Sequence, residues 1–379
     1  MTASSTPPYH LIDNPTSLTT ALPLLHRTRQ VALDIEADSF HHYYEKTCLI
    51  QLTADGDNFI IDPLAGLDVQ ELLALLADRS LILHDAGYDL RMLNASFGFR
   101  PKRPVFDTML AARLLGIERF SLTALIEQFF EVSLPKKGQK SDWSRRPLSG
   151  AQLAYAAQDT HYLEPLADAL ARQLERIGRT EWHRQWCEQL VRNTGLPPRE
   201  KDPQRWRIKG ANHLSPRQLA YLHAIWHWRE TEACKADLPP FKILGNDALR
   251  ALAIWACDHP AAPLDQGPKL PRHFNAQRRN RLVSVLRKAH ALPPDQWPSP
   301  RRLAPKPPDV ADVRKRTDRL LARCRRIAHA LQIAPDVLVS RATVETIARA
   351  RPTTVRELIH VAHLMPWQAD LLKDVLLNP

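Results

Sequence analysis

Residues 31–38 run Val-Ala-Leu-Asp-Ile-Glu-Ala-Asp, so Val31, Leu33 and Ile35 face one way and Asp34 and Glu36 the other. That period of two predicts a β-strand. Two carboxylates side by side on one strand face repel each other, and a cation between them removes the repulsion. An oxygen-rich site of this kind suits Mg²⁺ or Mn²⁺. The same pattern also fits an edge strand with a solvated outer face. Metal binding therefore needs further carboxylates from elsewhere in the chain.

Two later stretches supply them at helical spacing. Leu81 to His84 predicts a short buried strand, and Asp85 to Leu93 the helix that follows it. Asp85 sits where an N-cap belongs, and capping is its expected role. Asp89 lies a turn further in, among Leu90, Met92 and Leu93, where no cap is needed, and is the better ligand candidate. The alanine-rich stretch Leu153 to Leu163 predicts a helix on which Tyr155 and Asp159, four apart, share one face. Asp107 is expected to cap the helix Thr108 to Leu115. Taken alone, Y-x-x-x-D is an ordinary surface-helix pattern. The ordered set of D-x-E, Asp89 and Y-x-x-x-D is what carries weight.

Beyond residue 195 the strand pattern gives way to helical periodicity. Ser215-Pro216 opens a helix carrying Leu219, Leu222, Ile225 and Trp226, and residues 237–246 form a turn leading to a helix from Asp247 to Cys257. A proline-rich stretch follows, and Val313 to Ile333 predicts a long amphipathic helix. The expected layout is a first α/β domain at 1–195, a linker at 196–210, a helical domain at 211–292, a Pro-rich linker at 293–310 and a second helical segment at 311–379.

Charge divides along the same line. Of the 52 Lys and Arg and 41 Asp and Glu, residues 1–195 hold 20 and 24, which leaves 32 and 17 for the rest. The positive half suits a polyanionic partner such as nucleic acid, though arginine is also a common solvated residue. Arg207 with Lys209, and Arg278, Arg279 and Arg281, are candidate phosphate contacts, as are Lys136 and Lys137 in the loop before Asp142-Trp143. Trp206, Trp226 and Trp228 are expected in the core rather than stacked on bases. No 18-residue apolar run or signal-peptide core is present, and five scattered cysteines lack C-x-x-C pairs. These features point away from a membrane, a disulfide framework and structural zinc, and towards a reducing cytoplasm. No obligate protein partner is evident.

The residues just described, with Thr47-Cys48-Leu49-Ile50-Gln51-Leu52, Ile60-Ile61-Asp62-Pro63-Leu64, His84-Asp85-Ala86-Gly87-Tyr88-Asp89, Phe106-Asp107-Thr108, Asp142-Trp143 and Arg146-Pro147-Leu148, resemble the DEDD exonucleases, and among them the ribonuclease D family. The likeness spans about residues 20 to 190. It implies a ribonuclease-H-like α/β domain with a mixed sheet and 3′→5′ exonuclease activity, with Asp34, Glu36, Asp89 and Asp159 as the four carboxylates. Tyr155, four residues before Asp159, marks the tyrosine subclass, because Ala154 occupies the position where other members carry histidine. The segment 211–292 resembles the small all-α HRDC domain, and 311–379 looks like a more diverged second copy. The resemblance further implies RNA with a 3′ extension, tRNA precursors among them, as substrate.

Hydrolysing a phosphodiester places negative charge on the entering and leaving oxygens together, and two divalent ions roughly 3.5–4 Å apart stabilise both. The expected set is therefore two Mg²⁺ or Mn²⁺ ions, with Asp34, Glu36 and Asp159 holding one and Asp34 and Asp89 anchoring the other. Tyr155 would orient the attacking water, since a phenol titrating near 10 is a poor base. The residues also leave open an exonuclease acting mainly on DNA and a catalytically silent RNA-binding scaffold.

Overall fold

The structure, a computed structural model, describes residues 6–134, 138, 141–196, 202–299 and 310–377. Lys136, Lys137 and Lys140 lie outside the described residues. The first part of the chain runs β1 (Tyr9–Ile12), α1 (Pro15–Arg27), β2 (Gln30–Ala37), β3 (Thr47–Ala54), β4 (Asp57–Ile61), α2 (Gln70–Ala77), β5 (Ser80–Leu83), α3 (Ala86–Phe97), β6 (Val105–Asp107), α4 (Thr108–Leu114), α5 (Leu122–Phe130), α6 (Gly150–His161), α7 (Leu163–Arg176) and α8 (Thr180–Thr194). It continues with α9 (Pro216–Ala236), α10 (Pro240–Ile243), α11 (Asn246–Asp258) and α12 (Ala276–His290). The last part is α13 (Val310–Ala330), α14 (Pro335–Leu338), α15 (Arg341–Ala350), α16 (Val355–Ala362) and α17 (Pro366–Leu376).

The six strands form one mixed sheet in the order β1-β4-β3-β2-β5-β6. β3 is antiparallel to both β2 and β4, while β1 with β4, β2 with β5, and β5 with β6 are parallel. On one face, Val31, Leu33, Ile35, Ile50, Leu52 and Phe59 pack with Leu22 and Leu25 of α1, Leu72 and Leu76 of α2, and Leu90 and Leu93 of α3. On the other face, Leu49 and Ile60 meet Ala156 and Ala157 of α6, and Ala32 and Ile82 meet Leu163 and Ala167 of α7. β2 and β3 lie in the middle of the sheet with helices on both sides. This excludes the solvated edge strand that the D-x-E pattern alone allowed.

The chain divides into two compact units, one of residues 1–37, 46–196 and 307–379, the other of residues 38–45 and 197–306. Residues 311–379, expected as a second small helical domain, bury their apolar side in the first unit. Leu320 of α13 joins Leu338, Ile347, Trp367 and Leu372 in one core with Ala111, Leu125, Leu166 and Leu170 of α4, α5 and α7. Trp367 stacks on Trp182 of α8 with ring centroids 4.6 Å apart, and Arg179 donates to the carbonyls of both Leu114 and Leu331.

In the second unit, α9 starts as expected, with Ser215 and Gln218 forming a capping box and Pro216 in the first turn. Trp206, Trp226 and Trp228 are buried beside Leu222, Ile225, Leu249, Leu252 and Phe274, so they are core residues. Residues 38–45 belong to this unit. Asp237, at the left-handed C-cap of α9, accepts from the backbone of Tyr43 and Tyr44 and pairs with His42 at 2.7 Å.

If α17 is integral to the core of the first unit, Trp367→Ala should destabilise the protein by about 3–5 kcal/mol. Denaturant or thermal unfolding checks it, and a loss below about 1 kcal/mol would contradict the shared core.

Candidate metal centre

β2 carries Asp34 and Glu36 onto the sheet face that α6 covers. α6 begins with a Ser149–Gln152 capping box, and its small Ala156 and Ala157 let the helix sit close over Cys48, Leu49 and Ile60. That approach carries Asp159 to the strand carboxylates. Asp34, Glu36 and Asp159 each offer an oxygen within 4.8 Å of the other two, the one such cluster of three among the described residues. Asp89, in the first turn of α3 and 6% exposed, is near enough for its charge to bear on Asp34, Glu36 and Asp159.

The start of α3 departs from expectation. Asp85 occupies the N-cap position with φ 60° and ψ 51° and makes no capping hydrogen bond. That left-handed backbone hands its N–H to Asp107 instead. The buried Asp107 carboxylate accepts from Asp85 N at 3.3 Å, Ala86 N at 2.9 Å, Met109 N at 2.9 Å and Leu110 N at 3.1 Å. One side chain thus caps α4, as the sequence indicated, and also fixes the start of α3 and hence Asp89.

Burial and mutual repulsion dominate the electrostatics. Burial pushes the Asp34 carboxyl up to about 7. Burial, reinforced by Asp34, Asp159 and Asp89, raises Glu36 well above the usual carboxylate range. Asp89 and Asp159 are raised for the same two reasons, burial first and Asp34 next. Tyr155 shares a hydrogen bond with Asp159, and burial plus the neighbouring carboxylates keep its phenol protonated. Its ring lies 6.0 Å from that of Trp143, and Gly138 comes so close to it that a Cβ there would overlap the ring. The donor set is all oxygen and like-charged, which fits a hard divalent cation and gives a buried reason for one.

A cleft of about 600 Å³ opens beside the cluster, with Asp34, Tyr155 and Asp159 on one side and His84, Phe120 and Leu134 among its other walls. His84 is bonded through Nδ1 to Thr108 Oγ1 at 2.9 Å, and burial lowers it to about 4, so it faces the cleft as a neutral imidazole. His161, two residues beyond Asp159, bonds Asn58 through Nδ1 at 3.2 Å. Sequence reasoning also gave no role to Asp62 and Arg146. Arg146 grips Asp62 through two bonds of 2.5 and 2.6 Å and donates to the Cys48 and Trp143 carbonyls, tying the Trp143 loop to β3.

The candidate phosphate contacts behave differently. Arg278 and Arg281 are both paired with Glu232, which is 2% exposed, at 3.0 and 2.6 Å. Arg279 donates to the Phe274 carbonyl, and Arg207 lies over the Trp206 ring while bonding Gln204 and the Ser299 carbonyl. Lys209 is exposed. Four of these five cations therefore already have partners within their own unit.

Residues 9–175 match the family model described as 3′-5′ exonuclease, and residues 218–255 match the HRDC domain. The chain is 33% identical over 299 residues to ribonuclease D of Zymomonas mobilis, covering 76% of this chain and 74% of that one. It is 30% identical over 352 residues to ribonuclease D of Xanthomonas oryzae, at 90% and 92% coverage. The chain belongs to the ribonuclease D family. The fold agrees over the full length with a solved structure of Escherichia coli RNase D, with a TM-score of 0.69, 24% identity and 98% of both chains covered. As a ribonuclease D, the protein is a 3′→5′ exoribonuclease acting on RNA, and its exonuclease fold uses divalent metal. No helix among the described residues is long and apolar enough to cross a membrane.

The raised carboxyls set a pH signature for the metal-free enzyme. A carboxyl titrating higher folded than unfolded stabilises the fold most below its unfolded value near 4, and that contribution is lost as pH rises through the folded value, about 7 for Asp34. In chelator, Asp34→Asn should therefore melt above wild type at pH 8, with the gap closing towards pH 5. Thermal denaturation at both pH values checks this, and a gap that does not change with pH contradicts it.

Proposed function

We propose that this ribonuclease D trims RNA 3′ ends through Asp34, Glu36, Asp89, Asp159 and Tyr155, releasing nucleoside 5′-monophosphates. The reading is carried by the clustering of Asp34 and Glu36 of β2 with Asp159 of α6, with Asp89 of α3 close enough to feel their charge and Tyr155 bonded to Asp159. Two Mg²⁺ or Mn²⁺ ions, when bound, would stabilise the charge on the entering and leaving oxygens of an in-line displacement. Asp34, Glu36 and Asp159 would hold one and Asp34 with Asp89 the other.

The chain's own residues do the rest. Water attacks the last phosphodiester, the bond to the 3′-oxygen of the preceding nucleotide breaks, and that oxygen departs as a hydroxyl. Tyr155, a phenol too basic to give up its proton at neutral pH, orients the water by hydrogen bonding and does not act as the base. Its ring is held for that task by Trp143 and by the close approach of Gly138.

Structured RNA with a 3′ extension, tRNA precursors included, is the proposed substrate class. E. coli RNase D is described as an exoribonuclease involved in structured RNA processing. We assign phosphate contact in the helical unit first to the exposed Lys209. Arg207, Arg278, Arg279 and Arg281 are secondary candidates, because their existing partners compete with phosphate.

Nucleotide release from 3′-extended RNA and matched single-stranded DNA, with Mg²⁺, Mn²⁺ or chelator, tests the reading. RNA should be shortened stepwise with metal and left intact in chelator. Asp34→Asn should cut turnover by more than the roughly 10–100-fold typical of outer-shell changes while still binding RNA. Faster release from DNA, or full activity in Asp34→Asn, would overturn it.

A further inference from the structure

Gln51 sits in the middle of β3, 0% exposed, yet neither its side-chain nitrogen nor its side-chain oxygen has a hydrogen-bond partner. A buried amide left unpaired is destabilising, because it has given up water for nothing. Its place in the sheet is specific. The antiparallel register sets Gln51 opposite Asp34 on one side and Ile60 on the other, and directly opposed residues project from the same face. Ile60 packs with Leu49, Ala156 and Ala157, so this is the face covered by α6, which brings Asp159.

The other polar side chain in that row shows what a purely structural group does here. Thr53, two residues on, is fully engaged, bonding Asn58 Oδ1 at 2.9 Å and Thr160 Oγ1 at 2.8 Å. Gln51 has an equally buried place and makes no bond. Its amide projects from the same sheet face as the Asp34 carboxylate.

We infer that Gln51 is a positioning residue of the metal centre, whose amide donates to the Asp34 carboxylate when that group ligates a divalent ion. Ligating carboxylates are commonly hydrogen-bonded by such outer partners, which fix the oxygen that faces the metal. In the metal-free protein the amide is left unpaired. Gln51 would thus weaken the empty fold and strengthen the loaded one. The inference rests on the reading of Asp34 as a metal ligand.

Gln51→Met keeps the side chain's length and removes both polar atoms. In the full-length chain with chelator, its melting temperature should rise above wild type by about 2–4 °C. Calorimetric titration with Mn²⁺ should show affinity reduced by about 10-fold or more, with turnover falling in parallel. A glutamine that merely supported the sheet would give the opposite thermal shift. A chelator melting temperature at or below wild type, or unchanged Mn²⁺ affinity, overturns the inference. Asp34→Asn run alongside separates the two levels: unaltered Mn²⁺ binding there refutes the ligand reading itself, whereas Mn²⁺ loss in Asp34→Asn with wild-type binding in Gln51→Met refutes only the role of Gln51.

Discussion

Repulsion among buried carboxylates is the constraint around which the first unit is arranged. Burial raises the proton affinity of Asp34, Glu36, Asp89 and Asp159, and the charge of Asp34 raises that of the other three further. Left to relax, such groups would turn to solvent or spread apart. They are held by elements with little freedom: a strand in the middle of a six-stranded sheet, a helix seated through alanines, and a helix start fixed by Asp107. The stability given up at the cluster is what makes the site receptive to divalent cations, and the large apolar cores on both sheet faces offset it.

Much of this was legible in the sequence because the signals are local. Alternation along Val31 to Glu36 fixed the face of both carboxylates, and the spacing of Tyr155 and Asp159 placed them one turn apart on α6. Asp107 was recognised as the cap of α4 for the same reason. Asp85 was misread because the choice between capping α3 and yielding to Asp107 depends on a residue 21 to 22 positions away that no local rule sees. Gln51 was quoted only as part of a motif, since its burial opposite Asp34 emerges from strand register alone.

The same limit governs the helical half. The stripe on α13 announced that something must cover it, without naming Leu166 and Leu170 of α7 as the cover. The arginine clusters were visible as charge, whereas Glu232, which engages Arg278 and Arg281, is a single acidic residue in a different helix. Net positive charge therefore overstates how many cations are available to phosphate. Part of the basic half, residues 307–379, also lies within the same compact unit as the metal centre, so the charge division at residue 195 does not coincide with the division into units.

The most direct test of the account is the location of bound ions. Crystals of the full-length protein equilibrated with Mn²⁺ should give two anomalous peaks roughly 3.5–4 Å apart, one contacting Asp34, Glu36 and Asp159 and the other reached by Asp34 and Asp89. Saturating Mn²⁺ that leaves these carboxylates without a bound ion, or that binds only away from them, would contradict it.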